Sequence, residues 1–497
     1  MLPLFGTYTA TTMPKGQKRP RNVGRLAEGL NLADPRWERP VKRIGLGPNV
    51  DPKFALFTVP PVDESVASRR VVEIPPSVSG QINPIEFEIK PSTEYVDLSS
   101  SFFMLKLRLQ AAGGGNIAAD TYPCQNLCHT MLKQVSVYVN GVLTTVQSDT
   151  YALNAMLQTI LNHDEDDAVS VLRPQGFIPG ALNVPNVYAA NTWDSATPHA
   201  NYTALTGTAK TSVDGVIKER RLYTGGVRRT LVFKPLVEVF HLNKPLPPNT
   251  RVLIRMHFNE PAYFTYGGTA PRLVADDVDL KMYVSSLRLK APLYNTLTHL
   301  RDSNHYMQYP VVRYETRTFT LPDGETNFDK ADIFEQRIPN RVFVYFLDSR
   351  AFNGTINYSP FAFQTFGVEW IKQLINGEEY PYTSTLEVQH NNTSKDYDGY
   401  HRFLYDTGAL KRGRKPLVRP EDWGYNKNCT IFCFNNVESG DADSRFMNPQ
   451  NQGNHRIQAR FNAGIGHAIT ICVTGEFENV MKITREGGVL YETYNGM

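Results

Sequence analysis

Two short stretches of this 497-residue chain decide its fold: Leu132–Gly141, which reads LKQVSVYVNG, and Trp370–Gly377, which reads WIKQLING. Both are apolar runs that close on Asn-Gly, and in the first of them apolar and polar side chains alternate. Alternation with a period of two is typical of a β-strand that has one buried face. Asn-Gly favours a tight β-hairpin, because both central residues of a type I′ turn need positive φ. Each stretch therefore predicts an antiparallel hairpin.

The surroundings of the two hairpins are also alike. After each hairpin comes a helical segment that begins near a tyrosine, at Tyr151 and at Tyr400. Before each hairpin comes a long apolar strand, Phe102–Leu109 in one case and Arg341–Leu347 in the other. This repeated order predicts two related β-sandwiches in tandem, each of about 200 residues, which is room for the eight strands of a jelly roll and long loops.

The rest of the chain beyond Val71 follows the same period of two. Alternating runs occur at Ser101–Gln110, Arg251–Phe258, Val278–Val284 and Ile469–Thr474. Such strands place one face on a core and leave the other face to solvent or to an interface. We therefore expect an all-β fold of two tandem eight-stranded jelly-roll sandwiches (a double jelly roll), with short decorating helices near Asp149–Asn162 and Tyr400–Leu410.

The chain divides into three predicted parts: an N-terminal arm at 1–70, a first jelly roll at 71–295 and a second at 296–497. The arm is rich in Pro and Gly, and it contains the basic residues Lys15, Lys18, Arg19, Arg21 and Arg25. Such a segment cannot bury enough apolar surface to fold alone. It is either a tail without a specific partner or an arm on the inner surface of an assembly, touching neighbouring subunits or anionic cargo.

Composition excludes several classes of protein. The net charge is only +3, which gives no global reason to expect nucleic-acid binding. Five cysteines are too few for a disulfide scaffold, and the pairs Cys124/Cys128 and Cys429/Cys433 do not have the usual zinc-knuckle spacing. The first six residues lack the features of a secretory signal, and no apolar run reaches the length that spans a bilayer. We expect a protein that is not secreted and has no membrane span.

No motif for catalysis or cofactor binding stands out. The phosphate-binding, dinucleotide-binding, zinc-protease and nucleophile-elbow patterns are all missing from the sequence, and the eleven histidines are dispersed. The acidic run His163–Asp167 lacks the spacing of a calcium loop, so a solvated loop is the simpler interpretation. We expect no enzymatic activity, no metal and no cofactor.

A family resemblance is specific over Phe319–Tyr382, which includes PNRVFVYFLDSRAFNGTINYSPF at Pro339–Phe361 and continues to WIKQLING. This order of strands and turns resembles the major capsid (hexon) proteins of Polinton/Maverick elements and adintoviruses. The matching positions are Pro339, Arg341, Val342, Asp348, Ala351, Phe352, Asn353, Gly354, Pro360, Phe361, Asn376 and Gly377. The resemblance departs at 166–226 and in the N-terminal arm.

The resemblance implies a subunit with two jelly rolls side by side. Three subunits would form a homotrimer of pseudo-hexagonal outline, and trimers would tile the icosahedral shell of a double-stranded DNA virus or virus-like element. Implied partners are neighbouring capsomers, penton or minor capsid proteins and, for the arm, the genome or inner capsid proteins. Implied location is the virion, assembled inside the host cell.

Two matters stay open at this level. The strand pattern also fits a carbohydrate-binding or receptor-binding β-sandwich, such as a viral spike or a lectin. Within the capsid interpretation, Tyr138, Tyr283, Phe343 and Tyr345 are candidates for contacts between subunits, because they lie opposite the alternating core. Packing on both strand faces explains each of them equally well.

Overall fold

The computed structural model describes residues 63–493, apart from gaps at 79, 116, 118–121, 179–227, 267–269, 304, 357, 389–396, 414, 421, 425–426, 444–445 and 463–464. The basic arm residues Lys15, Lys18, Arg19, Arg21 and Arg25 lie outside the described residues.

The described residues of the first half form ten strands. They are β1 (Val66–Ile74), β2 (Ile85–Ile89), β3 (Tyr95–Leu107), β4 (Tyr122–Pro123), β5 (Leu132–Val139), β6 (Val142–Leu143), β7 (Arg229–Phe233), β8 (Val252–Phe258), β9 (Thr265–Tyr266) and β10 (Val278–Leu289). Eight of them form two antiparallel sheets in the orders β1-β10-β3-β7 and β2-β8-β5-β6, and β4 pairs with β9.

In the second half, too, ten strands lie within the part of the chain that the structure describes. They are β11 (Met307–Leu321), β12 (Asn327–Lys330), β13 (Arg341–Asp348), β14 (Val368–Ile375), β15 (Glu378–Glu379), β16 (Leu386–Glu387), β17 (Phe432–Asn435), β18 (His455–Phe461), β19 (Ile469–Ile483) and β20 (Val489–Thr493). The sheets have the orders β11-β19-β13-β17 and β12-β18-β14-β15, while β20 pairs with β19 and β16 with β14.

The two halves have the same topology. When the eight main strands of each half are counted in chain order, one sheet has the order 1-8-3-6 and the other 2-7-4-5. This is the strand arrangement of a jelly roll, and it occurs twice. The predicted all-β double jelly roll is therefore confirmed.

Eight short α-helices connect the strands in the described residues. They are α1 (Leu127–Thr130), α2 (Tyr151–Asn162), α3 (Glu165–Val169), α4 (Pro261–Phe264), α5 (Ala291–Asp302), α6 (Ser349–Phe352), α7 (Asp398–Asp406) and α8 (Ala409–Arg412). The two predicted helices correspond to α2 and to α7 with α8. They occupy equivalent positions, since each follows the fifth main strand of its jelly roll.

The core of the first jelly roll follows the predicted alternation. In β3 the side chains of Phe103, Leu105 and Leu107 are buried, whereas the residues between them are only half-buried. Phe103 packs edge-on against Phe87, with ring centroids 5.2 Å apart, and stacks on Phe233 at 5.7 Å. Aromatic pairs in these geometries add to the stabilisation that burial of their area provides.

The second jelly roll differs from the prediction in one respect. All eight residues of β13 are buried, and in β19 both the predicted core residues and those between them, such as Cys472 and Thr474, are buried. The period of two remains in the backbone, but the second face of this sheet does not meet solvent. It lies against elements of the first jelly roll, as described below.

The predicted domain boundaries remain predictions, and two elements lie across them. Strand β1 begins at Val66, inside the range assigned to the arm, and residues 295 and 296 both lie within α5. β1 shows no alternation because eight of its nine residues are exposed, so its sequence carries no buried face. α5 buries none of its residues.

Candidate functional site

The junction between the two jelly rolls is the most extensively built site of the molecule. The long strands β11 and β19 pair along fifteen residues each, which is about 50 Å of extended chain. At one end Ile469 and Ile471 belong to the core of the second jelly roll. At the other end Met481 and Ile483 belong to the core of the first. The same two strands therefore join both cores.

Helix α2 makes the reciprocal connection. It belongs to the first jelly roll, yet Leu153, Met156 and Leu157 belong to the hydrophobic cluster that contains the core of the second. Nine of its twelve residues are buried. α2 covers the outer face of the β11–β19–β13 sheet, which explains why β13 and β19 are buried on both faces.

A short polar network fixes this packing. The Thr316 hydroxyl on β11 lies 2.5 Å from Asn154 Oδ1 on α2 and 2.8 Å from the Thr474 hydroxyl on β19. Thr474 and Asn154 are buried and Thr316 is half-buried, and Asn154 lines the edge of a cleft. Hydrogen bonds of this kind add modestly to stability, and loss of one partner leaves the other group poorly solvated. The network therefore favours one register of α2 on the sheet.

Two residues after Thr474, on the same face of β19, Glu476 takes part in a buried ion pair. Arg341 on β13 contacts Glu476 on β19 through two parallel hydrogen bonds of 3.0 Å, and the two side chains are 6% and 4% exposed. Arg341 also lies 3.1 Å from Asp443, which Arg412 of α8 contacts at 2.6 Å. Burial is the largest single influence and opposes charging Arg341, but the combined effects of its neighbours, chiefly Glu476 with Asp443 also contributing, outweigh burial and raise the pKa of the guanidinium.

At Asp443, too, burial and the neighbouring charges have opposite effects on the pKa. Burial acts to raise the pKa of this carboxyl, but the charges of Arg341 and Arg412 outweigh that effect and the pKa is lowered. Arg341 and Asp443 are thus both charged near neutral pH, and the network ties strand β13 to α8 and to the loop that contains Asp443. It borders a cleft of about 560 Å³ between the two jelly rolls, whose wall also includes Tyr314 and Glu238.

Strand β20 closes the junction at the C-terminal side. The Tyr491 hydroxyl donates to the carbonyl oxygen of Thr144 at 3.1 Å, and the Arg313 guanidinium lies 4.8 Å from the Tyr491 ring centroid. Nearby, Asn140 Nδ2 donates to the carbonyl oxygen of Gly487 at 2.7 Å. Residues of the second half thereby hold the hairpin of the first half.

The two Asn-Gly hairpins have the expected geometry. Asn140 and Gly141 have φ of 50° and 85°, and Asn376 and Gly377 have φ of 54° and 92°. In each hairpin the Asn Oδ1 also accepts a hydrogen bond, at 2.8 Å, from the backbone N–H just before the seventh main strand, at Arg251 and at Asn454 respectively. The asparagine therefore shapes the turn and links it to the neighbouring strand in both jelly rolls.

Other motif residues cluster at the end of β13. Asp348 Oδ1 accepts from the backbone N–H of Arg350 at 2.8 Å and caps α6, while Asp348 Oδ2 lies 3.2 Å from His467 Nε2. Phe352 packs against the shared core, Asn353 ends α6 and is exposed, and Pro360 is buried. Gly354, at φ 77°, lies so close to Tyr263 that a Cβ would be 3.4 Å from that ring.

The four aromatic residues predicted to contact other subunits differ in their exposure: two are buried within the monomer and two are half-buried. Phe343 and Tyr345 are 0% exposed, because they lie on the face of β13 that is covered within the monomer. That interpretation is wrong for these two residues. Tyr138 and Tyr283 remain half-buried: Tyr138 lies under Arg255, and Tyr283 stacks on Phe102.

Groups that resemble catalytic or metal-binding residues have structural partners. None of the five cysteines forms a disulfide, and all five are buried. Burial raises the pKa of the thiols of Cys128, Cys429 and Cys472. In the acidic run, Asp164 caps α3 by accepting from the backbone N–H of Asp167 at 2.9 Å. Within the described residues, no group of three or more His, Cys, Asp or Glu side chains is placed to hold a metal ion.

Of three histidines with lowered pKa values, His129 and His455 are buried, whereas His241 is exposed and lines the cleft between the jelly rolls. Burial lowers the pKa of His129, His241 and His455 to about 4, so each is neutral at pH 7. His129 Nδ1 lies 2.9 Å from the Tyr151 hydroxyl at the start of α2.

None of the helices in the described part of the chain is long and apolar enough to cross a membrane.

Sequence reasoning found part of this junction. Arg341 was recognised as a motif residue, but its partner Glu476 is more than a hundred residues away and carries no local signature. Asn154, Thr316 and Thr474 are common residue types in strands and helices. Their roles depend on a contact between halves, which only the folded chain reveals.

Comparison with known proteins supports the fold. No protein-family model matches the chain. An uncharacterized protein of Caenorhabditis elegans is 23% identical over 250 residues, which are 50% of this chain and 52% of that protein. The chain thus spans about half the length of the curated relative that it matches.

Solved structures cover much more of the chain. A chain of the PBCV-1 virus capsid aligns with 88% of this chain and 100% of its own length, with a TM-score of 0.52 and 10% identity. A chain of the Sputnik virophage aligns with 90% of this chain and 93% of its own, with a TM-score of 0.51 and 12% identity. The major capsid protein of mavirus aligns with 99% and 98%, at a TM-score of 0.49 and 12% identity. At such identities the first two likenesses establish a shared fold, the double jelly roll that the resemblance had implied.

Proposed function

We propose that this chain is the major capsid protein of a double-stranded DNA virus or virus-like element, a structural subunit without catalytic activity. The observation that carries the proposal is the repeated 1-8-3-6 and 2-7-4-5 strand order in two jelly rolls joined through shared cores. The same fold is found in a chain of the PBCV-1 virus capsid. The sequence resemblance to hexon proteins points to the same role.

The junction supports this role physically. A shell subunit must hold its two jelly rolls at one fixed angle, because an error in each subunit would accumulate across a facet. Strands β11 and β19 and helix α2 contribute side chains to both hydrophobic clusters, and the Arg341–Glu476 ion pair lies at their contact. Relative motion of the jelly rolls would have to expose this apolar surface, which is costly.

The internal repeat also supports a particular assembly. A closed ring of three identical chains, each with two similar jelly rolls, presents six similar units around one axis. Such a trimer has a pseudo-hexagonal outline and can tile a flat facet. We extend the proposal to a homotrimeric capsomer in the virion, assembled within the host cell beside neighbouring capsomers and penton or minor capsid proteins.

The direct test is the oligomeric state and shape of the purified chain. Light scattering after size-exclusion chromatography is expected to give the mass of a trimer, and negative-stain microscopy to show threefold particles with a pseudo-hexagonal outline. A stable monomer that binds glycans on an array would contradict the proposal and would favour a lectin-like or receptor-binding protein.

The N-terminal arm has a separate proposed role, on the inner surface of the shell. Its support is the basic cluster Lys15, Lys18, Arg19, Arg21 and Arg25, whose charges attract a genome or acidic inner proteins. Removal of residues 1–45 is expected to leave trimers intact but to weaken shell assembly. Replacing only the five basic residues by glutamine separates the effect of charge from that of chain length. Unchanged assembly at moderate salt in both variants would contradict a role for the arm.

A further inference from the structure

Helix α7 of the second jelly roll presents an exposed aromatic side. Tyr397, just before the helix, and His401 and Tyr405 within it recur at four-residue spacing, which places them on one side. His401 is exposed, and each of the two tyrosines is 51% exposed. The other side of α7 is buried, with Tyr400 and Phe403 in the hydrophobic cluster that contains the core of the second jelly roll. Tyrosine is enriched in protein interfaces, so the exposed side suits a protein partner.

The equivalent helix of the first jelly roll shows what this side packs against. Alignment of α2 with α7 on Tyr151 and Tyr400 places Met156 at the position of Tyr405. Met156 is buried in the cluster that contains the core of the second jelly roll, because α2 covers a sheet of that jelly roll. The exposed side of α7 thus corresponds to the side of α2 that contacts the next jelly roll. The described residues contain no third jelly roll that α7 could cover.

The first jelly roll has the matching sheet. Its strands β1, β10 and β3 take the places that β11, β19 and β13 have in the sheet under α2. Outward side chains between the core residues include Phe102 and Met104 on β3 and Tyr283 on β10. Phe102 stacks on Tyr283 with ring centroids 5.1 Å apart, and the Tyr283 hydroxyl lies 4.0 Å from Met104 Sδ. Val71 on β1 shares this face and is 50% exposed.

This sheet face differs from one that meets only water. The solvent side of an antiparallel sheet normally carries polar residues, whereas here two aromatic rings, a methionine and a valine are grouped beside the pair of Glu73 and Lys281. In the second jelly roll, the outward residues Phe343 and Tyr345 of the equivalent strand are 0% exposed, because they are covered within the monomer. The outward apolar residues of the first sheet are half-buried or exposed. The two sheets therefore differ in their cover more than in their chemistry.

We propose that the exposed side of α7 in one copy of this chain packs on the outward face of strands β1, β10 and β3 in a second copy. One kind of contact is then used twice: α2 makes it within the chain, and α7 makes it between chains. Such a contact is head-to-tail, and repeated contacts of this kind close into a ring when the rotation fits. Three chains, with six jelly rolls, complete the ring of the homotrimer. The inference rests on the proposed function and assigns the residues at its subunit contact.

Two variants change the two sides of the contact separately. The helix variant has Tyr397→Arg with Tyr405→Arg, and the sheet variant has Val71→Arg with Tyr283→Arg. These positions lie at the surface of the monomer, so the arginines can remain in water, and circular dichroism checks that both variants fold. At concentrations where the parent chain is a trimer, light scattering is expected to give monomers for each variant. The dissociation constant of the contact is expected to rise about thirtyfold or more, because aromatic residues at the centre of an interface carry much of its affinity.

A mixture of the two variants distinguishes a head-to-tail contact from a symmetric one. The sheet variant keeps an intact α7 and the helix variant keeps an intact sheet, so the mixture is expected to form heterodimers, whereas neither variant associates alone. The matched control is Tyr306→Arg with Leu490→Arg. It replaces residues that are 45% and 48% exposed outside α7 and the sheet, and it is expected to remain trimeric.

Hydroxyl-radical labelling of the parent trimer tests the contact without any substitution. Tyr397 and Tyr405 are expected to be oxidised more slowly than Tyr306, which has a similar exposed fraction in the monomer. Equal oxidation of the three tyrosines would contradict the proposal.

Three further results would overturn the inference. Trimers that persist in either double variant would place the subunit contact elsewhere and would leave the proposed function intact. Homodimers of one variant by itself would mean that the copies meet through a symmetric contact. A parent chain that is monomeric would contradict the trimer itself, and with it the proposed function.

Discussion

Arg341 brings a full positive charge into the junction, where two strand partners and one helix surround it. Its side chain is 6% exposed and donates two hydrogen bonds to the carboxylate of Glu476. Pairs of this kind add little to stability when compared with apolar residues of the same volume, yet removal of one member leaves the other buried without a partner. At the scale of single residues, what matters is therefore that each buried charge has an oppositely charged partner, more than the strength of any one contact.

Arg341→Met is expected to lower the free energy of unfolding by about 3–5 kcal/mol, because Glu476 would remain buried without its partner. The measurement is urea-induced unfolding followed by circular dichroism. Arg456→Met is the matched control, since Arg456 pairs with Asp329 at the surface and is 42% exposed. Its effect is expected to be too small to resolve. A comparable loss in both variants would contradict the account of the junction.

Asp406, at the end of α7, makes the free energy of unfolding depend on pH. Burial raises the pKa of its carboxyl to about 7, although the Tyr382 hydroxyl donates to it at 3.0 Å and partly opposes the shift. Besides Tyr382, the ionisable groups around it are Arg402 on α7 and Cys433 on β17. The folded protein holds the Asp406 proton more tightly than the unfolded chain does. The contribution of this proton to the free energy of unfolding is therefore fully present below the pKa of Asp406 in the unfolded chain, and it is lost as pH rises through about 7.

Asp406→Asn is therefore expected to be more stable than the parent protein at about pH 8, by at least about 1 kcal/mol, with a smaller advantage at about pH 5. Thermal unfolding at both pH values measures the difference. Asp398→Asn, on the exposed side of the same helix, serves as the control and is expected to leave the pH dependence unchanged. An equal effect of Asp406→Asn at both pH values would contradict the argument.

At the scale of elements, the two hairpins show how a local sequence sets a strand pair. The Asn-Gly turns reverse the chain between the fourth and fifth main strands of each jelly roll, and the asparagine side chain extends the turn to the seventh. Register is fixed at one end by the turn and along the strand by the buried face. These elements fold as predicted because everything that they need is present within ten residues.

Gly377→Ala tests the turn geometry. Gly377 has φ of 92°, and an added Cβ would meet no atom within 4 Å, so its cost is conformational and not steric. A left-handed backbone costs an alanine about 1–2 kcal/mol, and the free energy of unfolding is expected to fall by that amount. Gly113→Ala is the control, because it also has open space but no positive φ. Equal effects of the two substitutions on urea unfolding would argue against the role of the turn.

At the scale of the whole molecule, the shared cores predict one cooperative unit. Each hydrophobic cluster contains residues from both halves, so neither jelly roll can unfold without exposing the core of the other. Urea unfolding is expected to be a single transition, with coincident curves from two probes. Far-ultraviolet circular dichroism reports both halves, and fluorescence of Trp370 and Trp423 reports the second half in a variant with Trp37→Phe and Trp193→Phe. Two separated transitions would show that the jelly rolls are independent domains.

The sequence by itself determined those features that depend on neighbours along the chain. Strand period, the Asn140-Gly141 and Asn376-Gly377 turns and the helices after them are local, and their repetition was enough to predict two jelly rolls. Strand β1 was not predicted, because eight of its nine residues are exposed and its sequence therefore carries no alternation.

Only the tertiary structure decided how the two jelly rolls join. The sequence alone could not tell that the second face of β13 is buried, because Phe343 and Tyr345 suit a subunit interface as well as an internal contact. Burial of that face depends on α2, nearly two hundred residues earlier, and the Arg341–Glu476 pair depends on strand pairing across a similar gap. Apolar burial and ion pairing act between surfaces that the chain brings together only on folding, so the physical reason for one rigid junction lies in the fold itself.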